Sequence, residues 1–292
     1  MSRSLSIVGA GRVGATLGKR LRVLGWRIGI VATRSSATAR RAVRAIGAGQ
    51  ASHELTRAIF AADIILITTP DAALASVAQS LAKVGGGLCQ RQIIVHTSGA
   101  LDSSVLAPLA RRGADTGSIH PMQTFSGRNV PKLAGVTFTV EGSPRALRVA
   151  RSIARSLGGV PVSIAGRDKP AYHATAVLTA GSEFALIESA LKILEDIGFT
   201  RQRALQTLLP LCRQMLDNIE RLGPRAAWTG PLSRGDYAVV ARHMRTLRRY
   251  PAEFQQSYAA LALLAGRVLS KNPAAAMSQV RRALENSKGG NR

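Results

Sequence analysis

The chain has 292 residues, 46% of them hydrophobic and 19% charged, which excludes a disordered chain and leaves room for two ordinary domains. Two cysteines far apart, Cys89 and Cys212, exclude a disulfide framework or a Cys-x-x-Cys site, and with no histidines at ligand spacing no metal is expected. Forty Lys plus Arg against sixteen Asp plus Glu give a net charge of +24, but the arginines are spread and few aromatics interleave with them, so the balance argues against nucleic acid and for attraction of anionic ligands.

The first apolar run, Leu5 to Val8, leads straight into Gly9-Ala10-Gly11-Arg12-Val13-Gly14. Val13, Leu17, Leu21 and Leu24 then recur at helical steps, Gly25 stops the helix, and Trp26 to Ala32 reads as a second strand. Strand, Gly-x-Gly-x-x-Gly, helix, strand is the order a dinucleotide site needs. Gly9 permits the tight turn, Gly11 admits a pyrophosphate, and Gly14 lets the helix pack closely. The phosphates lie on free N–H groups at the positive helix end, including those of Arg12 and Val13. After the second strand the chain reads Thr33-Arg34-Ser35-Ser36, with no acid nearby. An arginine fork with flanking hydroxyls suits a 2′-phosphate, so the expected cofactor is NADP.

Further along, Thr38 to Ile46 reads as a helix, and Ser52 to Phe60 as a short helix capped by Ser52. Asp63 to Ile67 is a buried strand ending at Thr68-Thr69-Pro70-Asp71, followed by a helix from Leu74 to Val84. Gln92 to His96 is the next strand, and Asp102 caps a helix to about Arg112. Thr116 to His120, Val136 to Val140 and Val160 to Ile164 complete the strands, with a helix from Ser143-Pro144 to Gly158 between the last two. The alternation predicts an α/β Rossmann-type doubly wound sheet over residues 1–165, the NADP-binding domain.

From Asp168 onward the period is helical, so residues 166–292 form an all-helical domain for substrate and dimerisation. Helices are expected from Pro170 through Ile197, from Thr200 to Leu222 with a kink or an interruption at Pro210, from Val239 to Arg249, from Pro251 to Ser270 and from Pro273 to about Glu285. A polar tail follows, and Trp228 to Asp236 reads as a loop. The first long helix is almost free of charge around Thr179 to Ser182, which predicts a homodimer through this domain. No apolar run reaches the length of a membrane span, and the start enters a strand at once. A cytoplasmic protein with no membrane partner is expected.

Candidate proton-transfer groups end strands or open the helical domain. His120 lies at a strand's carboxyl end, and Lys169 and His173, four apart, share a helix face. Thr69 and Ser98 end strands on the same side and are expected near the nicotinamide. Gln123 and Arg234, the latter within Ser233-Arg234-Gly235-Asp236, are candidate substrate-binding residues.

The motifs Gly9 to Gly14, His96-Thr97-Ser98-Gly99-Ala100-Leu101, Gly117 to Phe125, Tyr172-His173-Ala174 and Thr229 to Asp236 carry a resemblance. They are similar to the 6-phosphogluconate dehydrogenase-like superfamily, with its ketopantoate reductases, pyrroline-5-carboxylate reductases, prephenate dehydrogenases and β-hydroxyacid dehydrogenases. More closely, they resemble the Rossmann-like plus DUF2520 family. The superfamily implies an N-terminal Rossmann domain, a helical domain that often dimerises, and NADP or NAD dependence. Lys169 occupies a place comparable to the catalytic lysine of β-hydroxyacid dehydrogenases, but His173 replaces the asparagine four residues on. His120-Pro121-Met122 is similar to the His-Pro-Met of prephenate dehydrogenases, whose histidine contacts the substrate. Neither pattern is complete, so neither substrate transfers. The expectation is an NADP-dependent oxidoreductase acting on a small anionic carbonyl or imine compound. Its rival is an NADP(H)-binding sensor or regulatory protein without turnover.

Overall fold

The computed structural model describes residues 3–90, 92–127 and 130–286. The polar tail expected beyond Glu285 lies, from residue 287, outside the described residues. The chain divides into two compact units, residues 1–182 and 183–292.

The first unit is an eight-stranded sheet of order β3-β2-β1-β4-β5-β6-β7-β8. Its strands are β1 (Ser4–Val8), β2 (Arg27–Ala32), β3 (Gln50–Ser52), β4 (Ile64–Ile67), β5 (Ile93–His96), β6 (Asp115–Pro121), β7 (Thr137–Gly142) and β8 (Val160–Ser163). β1 to β6 run parallel, β7 pairs antiparallel to β6, and β8 is parallel to β7. The helices are α1 (Arg12–Val23), α2 (Ser36–Ile46), α3 (Asp71–Gly85), α4 (Ala107–Ala110), α5 (Pro144–Ser156) and α6 (Lys169–Ala176).

Apolar stripes explain the two layers. Leu17 and Leu21 of α1, Ile46 of α2 and Ile153 of α5 bury against one face of the sheet. Leu74, Ala78 and Leu81 of α3 and Leu109 of α4 bury against the other. Strands covered on both faces need no polar alternation, which is why β4 and β5 read as continuous apolar runs. The two buried serines of β1 are satisfied. Ser4 donates to Asp63 Oδ2 at 2.7 Å, and Ser6 Oγ accepts the Ile30 N–H at 3.2 Å where the β1–β2 register shifts. The strand order reverses direction between β1 and β4, so the crevice outside their carboxyl ends is the topological switch point.

Three stretches differ from the sequence expectation. Residues 52–60 are not a helix. Gln50–Ser52 is the edge strand β3, and the chain then makes a 3-10 turn at Arg57–Ala61. Ser52 Oγ accepts the Glu54 N–H at 3.1 Å, a local turn in place of a helix cap. The Asp102 side chain does accept a capping bond from Ser104 N at 3.0 Å, but it starts a 3-10 turn before α4 instead of one long helix. The unit also continues past residue 165 to Ser182, because α6 is bonded to the sheet through Lys169 and Tyr172.

The second unit is helical: α7 (Ser182–Asp196), α8 (Arg201–Leu222), α9 (Pro224–Ala227), α10 (Pro231–Arg234), α11 (Tyr237–Thr246), α12 (Ala252–Val268) and α13 (Pro273–Asn286). The helix expected over Pro170 to Ile197 is helical from Lys169 to Asp196, with a π turn at Val177–Gly181. α8 runs through Pro210 unbroken, and the loop expected at Trp228 to Asp236 contains the short α10. Val240, Ala241 and Ala283 form its buried cluster, and Arg201 joins α8 to Glu188 of α7 by two bonds of 3.0 and 2.7 Å. Among the described residues no helix is long and apolar enough to cross a membrane.

Candidate active site

A cleft of about 870 Å³ opens along the carboxyl ends of β1, β2, β4, β5 and β6. Gly9, Gly11, Arg12 and Val13 line it. Gly9 is left-handed (φ +86°), and a Cβ there would lie 2.7 Å from the Thr69 N and 2.8 Å from its Cα. Only glycine lets the ends of β1 and β4 approach so closely. Gly14 does not line the cleft. A Cβ on it would strike Thr68 Oγ1 and crowd Ile7, so it seats α1 on the sheet. By contrast, the nearest atom to a Cβ on Gly11 is 3.8 Å away. The helix behind begins without a side-chain cap and without an acid in its first turn. Its first N–H groups are therefore available to an anion. Thr69, against Gly9 in the same lining, has a buried Oγ1 with no hydrogen-bond partner among the described residues. An open glycine cradle, an uncapped helix end and an orphaned hydroxyl fit a dinucleotide.

At the ends of β2 and β3 the cleft is lined by Thr33, Arg34, Thr38, His53 and Glu54. Ser35 is not in the lining, because its Oγ caps α2, accepting from Thr38 N at 3.3 Å. The sequence around Arg34 contains no acid, yet the structure brings one, Glu54, from the segment that follows β3. That carboxylate was hidden because residues 52–60 read as a helix.

Near β5 and β6 the wall is a braced shelf. Ser98 N donates to His96 Nδ1 at 3.2 Å, which leaves the His96 hydrogen on Nε2, 3.2 Å from the Asp102 carbonyl. Ser98 Oγ accepts from Ala100 N at 3.2 Å and Leu101 N at 2.9 Å. Ser98 and Gly99 line the cleft beneath two imidazoles. A Cβ on Gly99 would lie 2.5 Å from His173 Cδ2 and 2.7 Å from His120 Nε2. The His120 and His173 rings meet edge to face, centroids 5.7 Å apart, and His120 Nδ1 lies 3.2 Å from Tyr172 Oη.

Lys169 is elsewhere. It is 0% exposed and outside the cleft lining, and its Nζ donates to the Ser98 carbonyl at 2.8 Å and to Ser118 Oγ at 2.6 Å. The expectation that it shares a face with His173 toward the cleft therefore does not hold. First-turn position said nothing of a side chain that reaches back between β5 and β6. Gln123 lines the cleft, but its Oε1 is occupied by Thr124 N at 2.8 Å. Arg234 belongs to the second unit, in α10, where its Nε pairs with Asp236 at 3.0 Å. Tyr172 and Gly99 were in the sequence motifs without a role, and only the packing around His120 reveals them.

Burial dominates the electrostatics. It pushes His96 down to about 3, helped by the Lys169 charge. It pushes His120 down to about 4, helped by His173 and then Lys169. Lys169 is itself lowered to about 8 by burial, against the pull of Glu141, Asp102 and Asp71. His120 is thus a neutral imidazole at pH 7, able to accept a proton or to donate a hydrogen bond, with Tyr172 on its far nitrogen.

A mainly parallel doubly wound sheet with a glycine cradle at its switch point defines a dinucleotide-binding fold of the Rossmann type. The Rossmann-like domain family matches residues 2–121, and the domain of unknown function DUF2520 matches residues 136–265. The chain thus carries a Rossmann-like domain followed by a DUF2520 domain. No curated protein matches it. Among solved structures, it is similar to a candidate NADP oxidoreductase of Bacteroides fragilis, with 24% identity over 89% of this chain and 96% of that one, TM-score 0.75. A candidate oxidoreductase of Pseudomonas putida matches with 17% identity over 95% and 97%, TM-score 0.69. A reductive aminase of Aspergillus terreus, in complex with NADPH4, cyclohexanone and allyl amine, matches with 19% identity over 100% and 97%, TM-score 0.66. At these identities the likeness is one of fold.

Proposed function

We propose that the protein is an NADP-dependent oxidoreductase that transfers hydride between the nicotinamide and a small, anionic carbonyl or imine compound. The observation that carries this reading is one cleft with a glycine cradle at one wall and the half-buried His120 at another. Bound there, the dinucleotide supplies or takes the hydride. The backbone of Gly9, Gly11, Arg12 and Val13 receives its pyrophosphate, and Arg34 with Thr33 and Thr38 holds the 2′-phosphate. The free Thr69 hydroxyl and Ser98 face its nicotinamide end. His120 exchanges the matching proton with the substrate, with His173 beside it. Lys169 keeps the Ser98 shelf in place instead of meeting the substrate. The Aspergillus enzyme of similar fold, with a ketone and an amine beside its cofactor, supports a carbonyl or imine. The charge of +24 supports an anion.

The test is a screen of NADPH oxidation against keto acids and cyclic imines, repeated with His120→Asn. Turnover lost in that variant while NADPH still binds supports the reading. Tight NADPH binding with no turnover on any substrate would instead favour a sensor.

The helical unit also makes a homodimer. On α8 the apolar Leu211, Met215, Ile219 and Leu222 follow one another at three- and four-residue steps and are all exposed, as is Phe184 of α7 at 69%. Such a stripe is costly to leave in water. Light scattering at micromolar concentration should report about twice the 30.8 kDa chain mass. A soluble monomer would overturn this.

A further inference from the structure

β2 and β3 lie side by side in register, with Ile30 opposite Gln50, Val31 opposite Ala51 and Ala32 opposite Ser52. The pairing extends one step beyond the strands, where Thr33 N donates to the Ser52 carbonyl at 3.0 Å. The residues that follow, Thr33-Arg34 on one strand and His53-Glu54 on the other, therefore leave the sheet together. All four line the cleft. The His53 ring is held from behind, with its Nδ1 3.0 Å from Ser36 Oγ at the start of α2. Its Nε2 points to the Glu54 carboxylate at 3.8 Å, beyond hydrogen-bond distance, and both side chains are more than half exposed. An exposed contact of this length holds neither group firmly.

We propose that His53 is a second residue selecting a 2′-phosphorylated dinucleotide, donating from Nε2 to the phosphate beside Arg34, and that Glu54 opposes it. The inference rests on the dinucleotide reading of the cleft and adds to it a determinant outside the β2 turn. A phosphate at Nε2 selects the tautomer with its hydrogen there. Ser36 Oγ–H then donates to the bare Nδ1, so neutral His53 already serves as a donor. Hydrogen bonds to a charged acceptor are the strong ones, and a second donor beside an arginine fork adds direction as well as charge. Glu54 works the other way. Its carboxylate repels a 2′-phosphate and accepts from a free 2′-hydroxyl, the arrangement that selects NAD. Preference therefore depends on the balance between Arg34 with His53 on one side and Glu54 on the other.

The test isolates the 2′-phosphate by comparing 2′,5′-ADP with 5′-AMP in isothermal titration of the full chain. His53→Ala should lower the ratio of their affinities by about tenfold or more, with 5′-AMP affinity unchanged. Glu54→Gln should raise the same ratio, and NADH should weaken in that variant. An unchanged ratio in His53→Ala, or an equal loss for both ligands, overturns the proposal while leaving the dinucleotide reading intact if NADPH still binds the wild type. A wild type that binds no adenine nucleotide overturns both.

Discussion

Tyr172 Oη meets His120 Nδ1 at 3.2 Å, so the imidazole presents its Nε2 edge to the shelf at Gly99. The tyrosine is one helical turn from Lys169 on α6, and the histidine ends β6. One bond thus fixes the orientation of the proposed proton-transfer group. His120→Asn should lower kcat by about 10²–10⁴-fold with NADPH affinity nearly unchanged, the scale of general acid–base catalysis. Tyr172→Phe, which loosens the ring without removing it, should cost less. Steady-state kinetics beside a fluorescence titration of NADPH check both. A His120 variant of full activity would refute the assignment.

Gly99 makes a second prediction. A methyl group there would overlap both imidazoles, whose nearest atoms are 2.5 and 2.7 Å from the Cβ position. The shelf beneath cannot yield easily, because the Ser98 amide, hydroxyl and carbonyl are all bonded. Gly99→Ala should therefore displace His120 and His173 and reduce kcat by at least about tenfold, while the cradle at Gly9 to Gly14 keeps its affinity for NADPH. Equal losses in kcat and NADPH affinity would show that the shelf acts on the cofactor instead.

The parallel sheet was legible because a strand buried on both faces announces itself as an apolar run, as Ile64 to Ile67 and Ile93 to Val95 do. The strand Gln50–Ser52 carries no such signal. It exists because β2 offers it an edge, and with it went the positions of His53 and Glu54. At the site, strand ends located His120 and Ser98, since the chain order of strands fixes which ends share a crevice. The direction of Lys169 was not legible. A helix register gives a face, whereas the contacts of its ammonium with Ser98 and Ser118 depend on how α6 meets the sheet.

Lys169→Met tests the role of that buried ammonium. The replacement is of similar length but leaves the Ser98 carbonyl and Ser118 hydroxyl without their donor, which should cost about 1–3 kcal/mol in stability by urea unfolding. It also removes a positive charge that helps hold His120 near 4, so the His120 titration followed by NMR should move upward. A variant of unchanged stability and unchanged His120 titration would show that the lysine neither braces the shelf nor tunes the histidine.

The last prediction concerns acid. His96 and His120 are lowered by burial to about 3 and about 4, against 6.5 for a free imidazole. Below pH 6.5 the unfolded chain takes up protons that the folded chain refuses. Their contribution is therefore fully present above pH 6.5 and is lost progressively as pH falls toward the folded values. At pH 5 each histidine should account for about 2 kcal/mol of lost stability. Lys169, lowered to about 8 from 10.5, acts in a different window, adding stability as pH rises from 8 to 10.5. Urea midpoints should stay level from pH 7.5 to about 6.5 and fall from there to pH 5, and His120→Asn should remove about half of that fall. A midpoint flat over this range would mean that the two imidazoles take up protons in the folded protein, and His120 would then not be the neutral group that the cleft geometry describes.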